Sequence, residues 1–170
     1  MNKINAIFAV DWAGGLGNNG TLPWPKIQED FDWFKKQTVN NIVVMGRNTW
    51  DDPKMPKPLP DRINYVVTNR PLGTTAARTI RGNNYKEEIL RLQKMYPTKQ
   101  VFIIGGKTLL EDCRDIINNV YLTIVKGSYK VDTKLKTHEF LAGFRARTAI
   151  PGEKCTFMIY SNENIFRSTQ

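Results

Sequence analysis

The segment KIQEDFDWFKKQT carries the chain's most suggestive side chain for chemistry. Residues set at 100° steps around a helix place Ile27, Phe31, Phe34 and Thr38 on one stripe, with Glu29, Asp32 and Lys36 on the opposite, solvated side. Asp30 goes with neither set: it lies roughly 60° from Ile27 and 40° from Phe34, at the edge of the apolar stripe. A carboxylate turned toward an apolar face is costly unless it is paired or functional. Desolvation raises its pKa and lets it hold or relay a proton. Taken alone, the segment reads more readily as an acid in a first helical turn that partly reaches water, because the helix dipole favours acids there.

Two glycine loops compete for a phosphate-binding role. Gly15 to Gly20, GLGNNG, follows the apolar run INAIFAV and has the G-x-G-x-x-G spacing of a dinucleotide loop. That motif needs a helix to open at the loop. Here Thr21-Leu22-Pro23-Trp24-Pro25 follows, and the prolines forbid one until Lys26. The stretch is better read as a flap beside a site. Gly105-Gly106 follows an apolar strand and precedes KTLLEDC, so its amides can approach a phosphate, although the pair alone is an ordinary tight turn. DDPKMPKPLPDR holds four prolines and reads as a stiff, extended loop. It is either a plain connector or a mount for the Arg62 guanidinium. His138, the one histidine, lies in the polar stretch KTHEF and reads as a surface residue; metal and triad chemistry are not expected.

These residues need a scaffold to bring them together. Apolar, β-branched runs recur at 4–10, 41–46, 63–68, 100–105, 120–125 and 155–161, and helical patterns fall at 26–37, 85–95 and from Lys107 to about Cys113. Alternating strands and helices predict an α/β fold with a mostly parallel central sheet. The last third shows strands with no helix between them, which predicts a C-terminal antiparallel hairpin. At 170 residues and 41% hydrophobic content, the chain reads as one domain over 1–170. The charge of +9 is dispersed without a basic block, which disfavours a specific nucleic-acid partner and suits a small polyanion. No apolar run is long enough for a membrane span. The start MNKINAIFAVD is too short and too soon acidic for a signal peptide, and Cys113 and Cys155 read as reduced thiols of a cytoplasmic protein.

Taken in order, LGNNGTLPWP, Asp30 with Phe31 and Phe34, VVMGRNTW, PLPDR, YVVTNR, FIIGG and YLTIV resemble the dihydrofolate reductase family over essentially the whole chain. The resemblance implies a single-domain α/β fold of that type, monomeric, that reduces 7,8-dihydrofolate with NADPH and takes antifolate inhibitors. It implies that Asp30 promotes protonation at N5 of the pterin, with Thr123 in the same hydrogen-bond network and Trp24 beside them. Ile7 and Ile104 would line the pterin and nicotinamide pocket through their carbonyls. Phe31, Phe34 and Leu59 would pack against the substrate's rings, and Arg62 would hold its α-carboxylate as a bidentate fork. Ala9, Leu16, Gly46, Arg47, Asn48, Thr49, Gly105, Gly106, Lys107 and Thr108 would contact the cofactor. Arg47 with Thr68, Asn69 and Arg70 would take its 2′-phosphate.

The chain departs from the family pattern in three places. Leu110 replaces a tyrosine, which withdraws a polar group near the nicotinamide. Asp61 replaces a glycine before Arg62. Pro53 or Met55 stands where an aliphatic residue meets the substrate. The rival readings are a same-fold reductase of another heterocycle, of the riboflavin-pathway type, and a basic nucleic-acid-binding module. Asp30 and Arg62 favour the folate.

Overall fold

The computed structural model describes residues 2–164; Met1 and residues 165–170, the two ends of the expected domain, lie outside the described residues. In chain order the elements are β1 (Ile4–Val10), β2 (Gly15–Gly17), α1 (Gln28–Thr38), β3 (Ile42–Gly46), α2 (Arg47–Asp51), β4 (Ile63–Val67), β5 (Arg78–Ile80), α3 (Tyr85–Met95), β6 (Val101–Gly105), α4 (Lys107–Asp112), a 3-10 turn (Arg114–Ile116), β7 (Asn119–Val125), β8 (Thr133–Lys134), α5 (Thr137–Phe140), β9 (Phe144–Pro151) and β10 (Cys155–Asn162).

Eight strands make one sheet in the order β5-β4-β3-β6-β1-β7-β10-β9, and β2 pairs with β8 in a separate ribbon. The strands from β5 to β7 are parallel, and β10 runs antiparallel to both β7 and β9. This is the mostly parallel sheet with a terminal antiparallel hairpin that the strand and helix pattern predicts.

Side-chain alternation divides the core between the two sheet faces. On one, Ile4, Ala6, Phe8, Ile42, Val44, Val101 and Ile103 pack with Ile89 and Leu92 of α3 and Leu109 and Leu110 of α4. On the other, Ile7, Val43, Met45, Val66 and Phe102 meet Trp33 and Phe34 of α1 and Leu59 of the proline-rich loop. A third cluster, Trp24, Ile27, Val125, Cys155 and Phe157, continues past α1. Trp33 packs against the second and third clusters alike and stacks on Phe157 with ring centroids 4.8 Å apart. That contact seats α1 on the sheet.

Several expectations need correction. The last third does contain a helix, α5, but its four residues are too few to show a period; its Phe140 is buried. Strands β5 and β9 carry no apolar pattern, β9 because nearly every residue in it is exposed. The proline-rich loop is not extended throughout: the Met55 amide closes a turn onto the Asp52 carbonyl at 2.9 Å. No helix opens at GLGNNG, as the prolines require, and the segment instead forms the β2–β8 ribbon. The buried carboxylate of Asp11 ties that ribbon down, accepting the amides of Ala13 at 2.9 Å, Gly15 at 2.8 Å and Tyr129 at 3.0 Å. Burial pushes its pKa up, but the three amides outweigh this and hold it below the usual value.

Asn64 performs a similar service for the loop that leads to Arg62. Its buried amide accepts from the Leu59 N–H at 3.0 Å and donates to the carbonyls of Leu59 and Arg62, each at 3.0 Å. Replacing Asn64 with Ala leaves a buried backbone amide and carbonyl unpaired. The expected loss is about 2–3 kcal/mol in urea denaturation, with faster amide exchange at Leu59; unchanged exchange there would refute the clamp.

Candidate active site

Asp30 leaves the first turn of α1 and reaches β7, where its Oδ1 accepts the Thr123 hydroxyl at 2.7 Å. Thr123 is itself buried and pairs in register with Ala9 of β1. Trp24 lies in the neighbouring cluster, against which Ala9 packs. Burial pushes the Asp30 pKa up; the Thr123 hydrogen bond opposes the shift, and the adjacent Glu29 charge adds to it. The group is therefore set to carry a proton where an ordinary aspartate has lost it.

The apolar wall beside this acid comes from the second core cluster. Ile7 and Leu59 belong to it, and Ile104, Phe34 and Met55 pack against it. Met55 thus supplies an aliphatic contact from the proline-rich loop. Phe31 departs from the expected buried stripe: it is 42% exposed, with the Lys26 ammonium 5.0 Å from its ring centroid. A large aromatic left open next to a buried acid is what the lining of a ligand cleft provides.

Arg62 sits at the other end of α1. Its Nε donates to the Pro60 carbonyl at 2.8 Å, its Nη1 donates to the Thr38 hydroxyl at 3.1 Å, and its guanidinium lies 5.8 Å from the Phe34 ring centroid. Burial lowers its pKa, with Asp61 pulling the other way. Asp61 stands where the family carries glycine, and its φ of 60° lies in the left-handed region that favours glycine.

A second group of candidates gathers where β3 and β6 end side by side. A Cβ on Gly46 would sit 3.5 Å from the Gly106 nitrogen and one on Gly105 would sit 3.4 Å from the Thr49 hydroxyl, so these segments lie in van der Waals contact. Gly105 has a φ of 134°, and Lys107 and Thr108 begin α4 on its exposed side. Arg47 opens α2, pairs with Asp51 at 3.0 Å and donates to the Thr68 hydroxyl at 3.5 Å. Arg70 lies 3.6 Å from the same Asp51 carboxylate. Asn69 accepts the Gly82 amide at 2.8 Å and, through its carbonyl, Arg81 at 3.5 Å. Exposed Asn48 completes the segment. Glycine backbone beside three arginines, with one carboxylate between two of them, is a donor set that fits a phosphorylated ligand.

Not every candidate falls at one of these two places. Leu16 packs against the core on the far sheet face, and Leu110 is buried there. His138 is exposed, both cysteines are free and buried, and no cluster that could hold a metal occurs among the described residues. Sequence reasoning missed Asn64, Asp11 and Asp51, and it put Thr38 on the apolar stripe without its Arg62 bond. A polar residue inside an apolar run, as at Asn64 in INYVV, was the available signal. Glu29 was expected to face solvent; its carboxylate instead accepts backbone amides of the β9–β10 turn.

A mostly parallel sheet with glycines and arginines gathered at its strand ends, and a half-buried acid beside an apolar wall, is the arrangement of an α/β enzyme with room for a phosphorylated cofactor. A family model described as dihydrofolate reductase matches residues 3–156. The viral dihydrofolate reductase of Saimiriine herpesvirus 2 (strain 488) is 33% identical over 144 residues, covering 76% of this chain and 67% of that protein. Dihydrofolate reductase type 8 of Escherichia coli is 27% identical over 97% of this chain and 99% of its own length. The dihydrofolate reductase of Mus musculus is 31% identical over 78% of each. Among solved structures, a dihydrofolate reductase from Enterococcus faecalis, complexed with NADP(H) and RAB-propyl, superposes with a TM-score of 0.78 at 24% identity, covering 94% of this chain and 95% of that one; it shares the fold. The chain belongs to the dihydrofolate reductase family.

The raised pKa of Asp30 has a consequence for stability. A carboxyl whose folded pKa lies above its unfolded value favours folding most in acid, and that contribution is lost as pH rises through the folded value. Asp30→Asn removes the buried charge and is expected to raise Tm near neutrality by about 2–5 °C. The gain should vanish in mild acid. A lower Tm for the variant near neutrality would mean that the site stabilises the charge.

Proposed function

We propose that the chain reduces 7,8-dihydrofolate to 5,6,7,8-tetrahydrofolate with NADPH, using residues 1–170 as one catalytic domain. The observation that carries this reading is the half-buried Asp30 carboxyl bonded to Thr123 and raised in pKa by burial, with the apolar side chains of Ile7, Phe34, Leu59 and Ile104 in one cluster and Arg62 at the far end of α1. In this reading Asp30 and Thr123 hydrogen-bond the amino and ring N–H groups of the pterin, and Asp30 promotes delivery of a proton to N5. Trp24 and Ala9 keep water from that end, and Ile7 and Ile104 offer carbonyls along the ring. Phe31, Phe34, Leu59 and Met55 hold the apolar middle of the substrate. Arg62, with its Nε and Nη1 already fixed by Pro60 and Thr38, presents its remaining N–H groups to a carboxylate.

The Gly46, Thr49 and Gly105-Gly106 surface, with Lys107 and Thr108, fits the cofactor's pyrophosphate. Arg47, Thr68, Asn69 and Arg70, with Asn48 nearby, fit the 2′-phosphate. The cofactor, when bound, supplies a hydride to C6 of the substrate. Further parts of the reading are binding of antifolate inhibitors in the same cleft, a monomeric state, no specific nucleic-acid partner, a supply of tetrahydrofolate for one-carbon metabolism, and a cytoplasmic location that the free, buried thiols suit. No helix among the described residues is long and apolar enough to cross a membrane.

Purified protein is expected to oxidise NADPH only when dihydrofolate is added. Asp30→Asn should abolish most turnover near neutrality while leaving NADPH binding intact; full activity in that variant would remove Asp30 from its role. Arg62→Leu should raise the dihydrofolate KM far more than it lowers kcat, and an unchanged KM would dismiss the fork. Equal use of NADH would contradict the 2′-phosphate site.

A further inference from the structure

Asp30 is not held by its own helix. The residue before α1, Ile27, makes no side-chain cap, so the first turn has no local anchor on that side. The neighbouring carboxylate supplies one from a distance. Glu29 Oε1 accepts the Lys154 amide at 2.6 Å and the Cys155 amide at 3.1 Å, Oε2 accepts the Glu153 amide at 3.2 Å, and the Cys155 thiol donates to Oε1 at 3.3 Å. These three successive amides form the turn between β9 and β10. The Lys126 ammonium, just past the end of β7, holds the same turn from its carbonyl side, donating to the Gly152 carbonyl at 3.2 Å and the Glu153 carbonyl at 3.0 Å. The carboxylate also occupies the space beside Gly152, where a Cβ would come within 2.6 Å of Oε2.

The two adjacent acids therefore hold two adjacent strands. Glu29 is fixed at Cys155, which pairs with Val125, and Asp30 is fixed at Thr123, which pairs with Phe157. We propose that Glu29 is the positioning residue for Asp30: anchored on the amides of Glu153, Lys154 and Cys155, it fixes the depth at which the first turn of α1 presents the neighbouring acid to Thr123. After burial, the Glu29 charge adds to the upward push on that acid. The Lys154 amide foremost, with the other donors, keeps Glu29 below its usual pKa and so ionised when Asp30 is not. The other groups around the pair are few. On β10, burial and Glu29 push the Cys155 thiol up to about 12, so it stays a neutral donor. On β7 there is the Thr123 hydroxyl; on the Glu29 side stand Lys126 just past β7 and Glu153 and Lys154 on the β9–β10 turn. On α1 itself, Asp32 is engaged with Gln28, and ahead of the helix Lys26 lies over Phe31.

The catalytic part of this proposal rests on Asp30 acting as the proton-holding group, so the test joins one readout that needs turnover to two that do not. The readouts are the pH profile of hydride transfer in single turnover, the titration of the Asp30 carboxyl by carbon NMR, and amide exchange at Glu153 and Lys154. Glu29→Gln removes the charge and part of the grip. Expected results are a downward shift of about half to one pH unit in both the Asp30 titration and the rate profile, a roughly three- to tenfold slower step near neutrality, and faster exchange at the two amides. Glu29→Asp keeps the charge but is too short to reach; exchange should quicken and the step should slow while the Asp30 titration stays within about 0.3 units of the parent. This variant decides the positioning claim if Glu29→Gln does not fold. An Asp30 titration and rate profile unchanged in Glu29→Gln, with only Tm lowered, would reduce Glu29 to a structural staple and overturn the proposal. The titration and exchange read Glu29 even in a protein that fails to oxidise NADPH, a failure that would count against the functional reading alone.

Discussion

The acid end of α1 answers to one constraint: a carboxyl largely withdrawn from water has to be stabilised without a cation beside it. An isolated buried carboxylate is prohibitively costly, and Asp30 meets the problem with one hydroxyl partner and an elevated pKa instead of a counter-ion. An ion pair there would have held the acid ionised and spoiled it as a proton holder. The burden then passes to the scaffold. Helix α1 must lie firmly on the sheet, and the Trp33 stack on Phe157 together with the reach of Glu29 to the hairpin turn keep it there. The antiparallel end of the sheet, which looks like an appendage to the parallel part, supplies the floor for the acid.

The opposite requirement governs the strand ends of β3, β4 and β6. Here charge is displayed in the open, with Arg47, Arg70 and Asp51 at the surface beside the glycines of β3 and β6. Asp51 lies between Arg47 and Arg70 and keeps the two guanidinium groups apart and oriented without burying them. The parallel sheet separates these environments, one dry and one wet, by little more than the width of the β1 and β6 strands, so two ligands of opposite character can meet at one edge.

Much of this was legible in the residues. Continuous apolar runs identify the buried strands because both faces of a parallel sheet are covered, and the period of YKEEILRLQKM matches α3 at both ends. Asp30 at the edge of the apolar stripe had an ordinary explanation in the helix dipole, and only the ordered motifs around it singled it out. What escaped notice depends on contacts between distant parts of the chain. Glu29 falls on the polar side of its helix, and no spacing rule links it to a turn more than a hundred residues later. Strand β9 has no apolar face to betray it, and the proline-rich loop is shaped by Asn64 from the neighbouring strand as much as by its own prolines. Local pattern reveals what is buried, but not which polar group is fixed by a distant backbone.

Helix α1 also acts as a measuring rod. Asp30 lies in its first turn, and Thr38, which orients Arg62, is its last residue. Eight residues at a rise of about 1.5 Å set these stations about 12 Å apart, and neither end can slide, because one is fastened to β7 and the other to the loop that Asn64 clamps. In the proposed function, a molecule with a hydrogen-bonding ring at one end and a carboxylate at the other would be selected by length as well as by chemistry. One residue added to or removed from the middle of α1 would turn its far end by 100° and put the two stations out of step, so this stretch tolerates substitution far better than a change in length.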